Sequence, residues 1–499
     1  MKTKISLMML LLAAWLMVGC EGQNEPTSEG GDATVESTEI ASVNKKMNYY
    51  GTIYEVIMKD GNRMYFAIKN DKEVRMGCWS YFYDGCEDEY ETYAPYEYKG
   101  HLVIPEKITL EGKEYMVTEL YRMSASNYSL NIGIIRPERP NTTLLSVVIP
   151  KTIKEMRSLC FSCCTALKSL TFASDSPIQE LTFRSFLGCS SLEEVILPEN
   201  LSSIGEEVFW SCTSLKTINL PETVTEIGEE AFFGCTSLEN INLENVKTIG
   251  EYAFMECTAL KNLNMNNVEN INTSAFYKCT SLETVTLENL EALGANTFDS
   301  CTSLISVVAN KLEFLDTYTF IDCINLKKID FPEMRKVMTG SFHNCTSLEE
   351  VKLYNLEALG ERAFCGCTKL KKIELPRIKY LGITVEEEED EIQWDGSDAF
   401  VGCNSLETVV LGNSLMYTDE HYLFEGCNSL KDVYCYATNP PMCRYDSDWD
   451  IRQFIGDFVL HVPASSIEAY QETAWGEISQ SHNGGTDYVG ERTIVAIEE

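Results

Sequence analysis

Between Leu144 and Cys435 the apolar residues return in one arrangement. In the unit that follows Cys235, Leu238, Ile241 and Leu243 form L-x-x-I-x-L, Val246 and Ile249 extend the apolar set, and Ala253-Phe254 leads to Cys257. The L-x-x-I-x-L stretch predicts a strand, and Gly250 predicts a tight turn. The remainder predicts a short helical or extended return. A polar phrase separates the units: Cys235-Thr236-Ser237-Leu238, Cys257-Thr258-Ala259-Leu260, Cys279-Thr280-Ser281-Leu282, Cys301-Thr302-Ser303-Leu304 and Cys345-Thr346-Ser347-Leu348. From Cys235 through Cys257, Cys279, Cys301, Cys323 and Cys345 to Cys367 every step is 22 residues.

A period of this length lies in the range of leucine-rich repeats. No single coil can bury its own Leu, Ile and Phe, so the coils must stack and lay their strands into one parallel sheet. Thirteen candidate strands at roughly 4.8 Å each give an array of roughly 60 Å. The pattern L-x-x-I-x-L, often followed by Pro (Pro198, Pro221, Pro332, Pro376) and then I-G-x-x-A-F-x-x-C, resembles the BspA-like bacterial leucine-rich repeat surface lipoprotein family over about residues 95–475. That resemblance implies a leucine-rich repeat solenoid, with a parallel β-sheet on one face and short helical or extended turns on the other. It also implies an extracellular binding or adhesion role without enzyme chemistry.

The N-terminus and the charge restrict where such a body acts. Lys2 and Lys4 precede the apolar run from Ile5 to Met17, too short for a membrane span and suited to a signal-peptide core. Met17-Val18-Gly19-Cys20 resembles a bacterial lipobox, which implies that Cys20 becomes a lipidated first residue; an ordinary signal peptide with a chance Cys is the competing reading. The polar residues that follow predict a disordered tether, and the acidic start after Cys20 resembles an export signal to the outer face of the outer membrane. A formal charge of −36 argues against nucleic acid and anionic membrane surfaces as partners.

The expected organisation is a signal peptide over 1–19, lipidated Cys and tether over 20–46, a β-rich N-terminal cap over 47–130, and repeats over 131–436 with an insertion at 383–398. A C-terminal cap over 437–499 closes the chain. A cap is needed because the first coil would otherwise expose an apolar face and an open edge. The residues Leu460-His461-Val462-Pro463 through Trp475 resemble the family's closing module, with Ser465 and Ser466 suited to a helix start.

Twenty cysteines would ordinarily suggest disulfides in an exported protein. Twelve of them, from Cys164 and Cys189 to Cys403 and Cys427, instead hold one place in successive coils. That spacing predicts a buried thiol ladder that can bond to the turn backbone. Cys78 with Cys86, and Cys435 with Cys443, are each either a disulfide or two free thiols.

Three rows bear on recognition. The residue after each motif Leu alternates in sign from Lys168, Glu193 and Lys216 to Glu407 and Lys431, a pattern that favours in-register attraction along the sheet. Asn219, Asn242 and Asn264 form an uncharged row that either binds sugars or peptides or stabilises stacked strands. Trp210, Phe233, Met255 and Tyr277 form a flank that is either a partner site or a rim of the core. Trp394, beside the acidic run Glu386 to Glu391, and Trp449 stand in insertions, where solenoids often place contacts.

No catalytic set emerges. The five His are scattered, and H-E-x-x-H, G-x-S-x-G and a phosphate loop are missing; no cofactor and no metal is expected. The sequence therefore predicts a lipid-anchored, cell-surface binding protein for a host protein, matrix component or glycan. A self-associating surface scaffold is the alternative, and a glycan-processing enzyme a third.

Overall fold

The computed structural model describes residues 40–48, 51–77, 98–121, 140–382, 384–385, 392–393, 398–418, 422–443, 457–482 and 485–497. Each repeat contributes three sides to its coil. The first is the strand expected from L-x-x-I-x-L, as in Asn262–Asn264, Thr284–Thr286, Ser306–Val308, Lys328–Asp330 and Glu350–Lys352, which pair in parallel and in that order. Side chains alternate across this sheet, with Leu263 buried between exposed Asn262 and Asn264, as the pleat requires.

The second side is a second parallel sheet that the sequence pattern left unread. Its strands are only two residues long: Thr248–Ile249, Asn270–Ile271 and their equivalents from Glu180–Leu181 to Met442–Cys443. From Glu180–Leu181 to Tyr380–Leu381 each presents an apolar side chain inward, and each is held by the strands before and after it rather than by any length of its own.

The third side is neither helix nor strand. It is two consecutive tight turns per coil, and the residue before Ala-Phe and the residue before Cys both take positive φ. Tyr252 (53°) and Glu256 (61°) show the pattern, as do Ser274 (55°) and Lys278 (58°). Amides of this segment donate to the next coil, as Phe254 N to Ala275 O (2.8 Å) and Glu256 N to Tyr277 O (2.9 Å). The left-handed residues thereby aim backbone groups along the stack, so all three sides are cross-linked. The glycine of the I-G step has a different role from the turn read at Gly250. Its φ is ordinary, but a Cβ there would lie 2.6 Å from the backbone of Gly228 and Glu229 in the preceding coil.

Two columns fill the interior. The Phe of each Ala-Phe stacks on its neighbours, with centroids 5.2 Å apart for Phe232–Phe254 and Phe254–Phe276, and the column runs from Phe161 to Phe424. Beside it runs the thiol ladder. Eleven consecutive ladder thiols donate to the Phe carbonyl of the coil before, from Cys189 on Phe161 (3.3 Å) to Cys427 on Phe400 (3.1 Å). Burial pushes the Cys235 thiol up to about 12.

Both ends are closed. At the N-terminal end a mixed sheet, antiparallel from Ile40 to Gly77 and parallel where Glu73–Gly77 meets Lys113–Leu120, passes through Lys113–Leu120 into Glu155–Met156, so it leads into the short-strand side. Its edge strand begins at Ile40, within the stretch assigned to the tether. Residues 41–45 of that strand are exposed on both faces, while half-buried Ile40 packs against the core; the stretch gives no apolar alternation, which is why composition alone reads it as linker. At the C-terminal end the long-strand sheet continues through Asp432–Cys435, Val459–Val462 and Ile494–Ala496. Helix Ile467–Gln471 then brings fully buried Tyr470 against the last coil.

Ser466 stands at that helix start, but its hydroxyl caps nothing. It donates to Thr438 O (2.7 Å) and ties the helix to the preceding loop instead. Cys435 is a free thiol within 3.2 Å of the Tyr470 hydroxyl, so its pairing with Cys443 does not occur; the two belong to different sheets. Cys20, Cys78 and Cys86 lie outside the described residues.

Candidate binding surfaces

The outward positions of the long-strand sheet divide into zones. From Lys328 to Lys352 charges meet in register. Lys328 pairs with Glu350 (3.3 Å), and Lys352 lies 3.4 Å from Asp330 and 2.9 Å from Glu350. Carboxylates on both sides push the Lys352 ammonium well above its ordinary range. The row after the motif Leu behaves likewise, with Lys261 to Glu239 at 3.2 Å and Lys431 to Glu407 at 3.0 Å. These exposed pairs consume their own charge and contribute little to stability.

Between Thr217 and Thr286 the outward pairs carry no charge: Thr217 and Asn219, Asn240 and Asn242, Asn262 and Asn264, Thr284 and Thr286. All but half-buried Thr286 are exposed. Not every amide in this platform is available. Asn242 places Oδ1 2.7 Å from Leu220 N and Nδ2 2.9 Å from Leu220 O. In the equivalent place Met265 N and Leu287 N bond to backbone carbonyls, Thr286 O and Val308 O. The Asn242 carboxamide thus stands in for backbone where the pairing of Thr217–Ile218 with Asn240–Ile241 ends.

Asn262 and Asn264 use only their oxygens, accepting from Thr284 (2.6 Å) and Thr286 (3.4 Å). Their NH2 groups face outward, and Asn219 and Asn240 keep whole carboxamides free among the described residues. Such a surface offers donors and acceptors without a fixed sign, matched to peptide groups or sugar hydroxyls.

The aromatic flank is half-buried along its length: Trp210, Phe233, Met255 and Tyr277 neither enter the core nor stand free. Trp210 and Phe233 stack at 5.4 Å, and the Trp210 indole donates to Glu230 Oε2 (3.1 Å). Burial, then Glu207, raises the Glu230 carboxyl, while the indole bond lowers it. The Lys278 ammonium lies 5.0 Å from the Tyr277 ring.

Trp394 and Trp449 lie outside the described residues. The segments that contain them begin just past strand ends that share a register, Leu381 with Thr418 and Thr418 with Cys443. Two strand spacings therefore separate their points of departure. Among the described residues no group of three or more His, Cys, Asp or Glu is arranged to hold a metal ion, and no helix is long and apolar enough to cross a membrane.

Stacked coils with two parallel sheets, a Phe column and a thiol ladder place the chain among repeat proteins, and a family profile decides which. The profile described as "BspA type Leucine rich repeat region (6 copies)" matches residues 140–260, 179–305, 225–349, 313–387 and 383–440. The chain belongs to the BspA-type leucine-rich repeat family. No curated protein matches it.

Among solved structures, a leucine-rich repeat protein from Bacteroides ovatus is 25% identical with a TM-score of 0.51, covering 74% of this chain and 92% of its own. A leucine-rich cell surface protein from Faecalibacterium prausnitzii is 22% identical with a TM-score of 0.42, covering 79% and 94%. The pneumococcal vaccine antigen PcpA is 19% identical with a TM-score of 0.43, covering 92% and 100%. The BspA-type family and the shared fold were both legible in I-G-x-x-A-F-x-x-C.

Proposed function

We propose that this chain is a lipid-anchored surface protein that binds a macromolecular partner, a host protein, matrix component or glycan, through the uncharged platform from Thr217 to Thr286. One observation carries the reading. On a chain with 23% charged residues and a net charge of −36, eight outward positions on adjacent coils hold only Asn and Thr. A solvated sheet face elsewhere on the molecule is kept in register by alternating charge; here Asn242, Asn262 and Asn264 bond to neighbouring coils, but among the described residues Asn219 and Asn240 do not, so the uncharged surface exceeds what the solenoid needs. Uncharged polar surface is cheap to desolvate and fits a partner's hydrogen-bonding groups.

In this reading Cys20 carries the lipid, and the stretch between it and the strand at Ile40 separates body from membrane. The family's surface proteins support that placement, and the role is binding rather than catalysis. The test uses cells producing the full chain. The protein should fractionate with outer membranes, be digested by protease added to intact cells, and bind immobilised matrix proteins or glycans. Cys20→Ala should release it from the membrane fraction. Protease resistance on intact cells, or membrane retention of Cys20→Ala, would overturn the anchored surface reading; failure to bind any of these partners would overturn the binding role.

A further inference from the structure

Beyond the platform, the corner between the two sheets holds an open groove of about 780 Å3, lined by Tyr354, Asn355, Glu357, Pro376, Arg377, Lys379, Asn413 and Ser414. Three successive coils build it. Beside it Gly412 lies so close to the carbonyl of the lining residue Pro376 that no Cβ would fit there. The volume is in the range of sites that hold small ligands or single units of a polymer.

The charge of this groove runs against the chain's net −36. Glu357 is fully engaged, with Arg335 Nη2 at 2.7 Å from one oxygen and Lys379 Nζ at 2.6 Å from the other. These hydrogen bonds, from Lys379 first, lower its carboxyl pKa, and the trio retains one excess positive charge, partly offset by Glu313 near Arg335. Arg377 adds a second, because it has no carboxylate partner among the described residues. A guanidinium free to donate in a fork suits a planar carboxylate. Around it stand an exposed Tyr354 ring, 47% accessible, and the side chains of Asn355, Asn413 and Ser414.

We infer that this groove binds a carboxylated sugar unit of a glycan, with Arg377 on the carboxylate and Tyr354 against the ring. The Asn355 NH2 donates to Pro332 O (2.7 Å) and the Ser414 hydroxyl to Asn413 Oδ1 (3.3 Å), which leaves the Asn355 oxygen and the Asn413 NH2 to a ligand; an acidic side chain of a polypeptide would use the guanidinium but leave these groups and the aromatic face idle, whereas a sugar ring uses them.

The test measures binding of the full chain by calorimetry to oligogalacturonate and sialyllactose, each beside its neutral counterpart, oligogalactose and lactose. At least one carboxylated glycan should bind, and its neutral counterpart should bind at least roughly tenfold more weakly. Arg377→Gln and Tyr354→Ala should each weaken it by a similar factor, whereas Lys261→Gln, on the distant platform side, should leave it unchanged. Circular dichroism confirms that each variant is folded. Absence of binding to both carboxylated glycans, equal affinity for neutral counterparts, or indifference to Arg377→Gln would overturn the inference. So would tighter binding of poly-glutamate, which would assign the groove to acidic polypeptide. Platform variants such as Asn240→Asp do not touch this groove, so its failure and that of the platform are separable.

Discussion

The thiol of Cys279 donates to the carbonyl oxygen of Phe254, 3.2 Å away, in the preceding coil. The same oxygen accepts the amide of Cys257 at 3.0 Å. Both lone pairs are therefore used, and the bond recurs along the stack. The ladder thiols act as buried donors and not as nucleophiles; at Cys279 and Cys301 desolvation holds the pKa far above neutrality. Alkylation at pH 7.5 followed by mass spectrometry should leave the ladder thiols unmodified in the native chain and modify all of them in denaturant without reductant. Rapid native labelling of Cys279 or Cys301 would contradict this, and so would resistance in denaturant, which signals disulfides.

The left-handed residue before each ladder Cys is Gly in some coils and another residue in others. Gly402 (φ 73°) has nothing closer than 3.8 Å to an added Cβ, so Gly402→Ala isolates the backbone cost. That variant should lose about 1 kcal/mol in urea unfolding. Ser211 (φ 55°) occupies the equivalent place, and Ser211→Gly should gain roughly 0.5 kcal/mol, strain relief being partly offset by unfolded-chain entropy.

Asn242 does the work of backbone. Removing its carboxamide in Asn242→Ala leaves Leu220 N–H and C=O without partners, at a cost of about 1–2 kcal/mol. Asn242→Asp keeps an acceptor for the amide but sets a carboxylate against the Leu220 carbonyl. Urea midpoints should therefore fall for Asn242→Asp at pH 7 and recover partly at pH 4. Equal midpoints for wild type and Asn242→Ala would show that water replaces the side chain.

In the N-terminal cap Glu55 is 2% exposed. Burial alone would raise its carboxyl, but hydrogen bonds from Lys46, Asn44, Tyr65 and Arg63 outweigh it and hold it down at about 2. A depressed carboxylate contributes stability above its unfolded value near 4.5 and loses it as pH falls toward 2. The contribution is of order 3 kcal/mol at neutral pH. Acid titration followed by hydrogen exchange should show the strands around Glu55 opening over this window, and Glu55→Gln should flatten that loss.

The sequence pattern carried the repeat, the ladder and the long-strand sheet because each rests on one residue type at a fixed spacing. It did not carry the short-strand sheet, since two residues such as Thr248–Ile249 give no alternation to read. Nor did it carry the paired turns, whose left-handed positions hold Lys278, Asp322 or Glu256 as readily as Gly. Asn242 and Asn264 look alike in sequence, yet one is spent on Leu220 and the other offers its NH2 to solvent, a difference set by where the ladder breaks. The groove at Arg377 was invisible for another reason: apart from the motif's Pro376, its residues come from turns of three coils at positions the repeat leaves variable.

The most direct test of the platform compares two double variants for affinity toward a partner captured by the full chain. Asn240→Asp with Asn262→Asp puts charge on the uncharged zone, and Glu349→Gln with Lys371→Gln removes it from the alternating zone. The first should weaken binding by roughly tenfold or more, and the second by less than about twofold. The opposite order, or equal effects, would contradict recognition through Thr217 to Thr286.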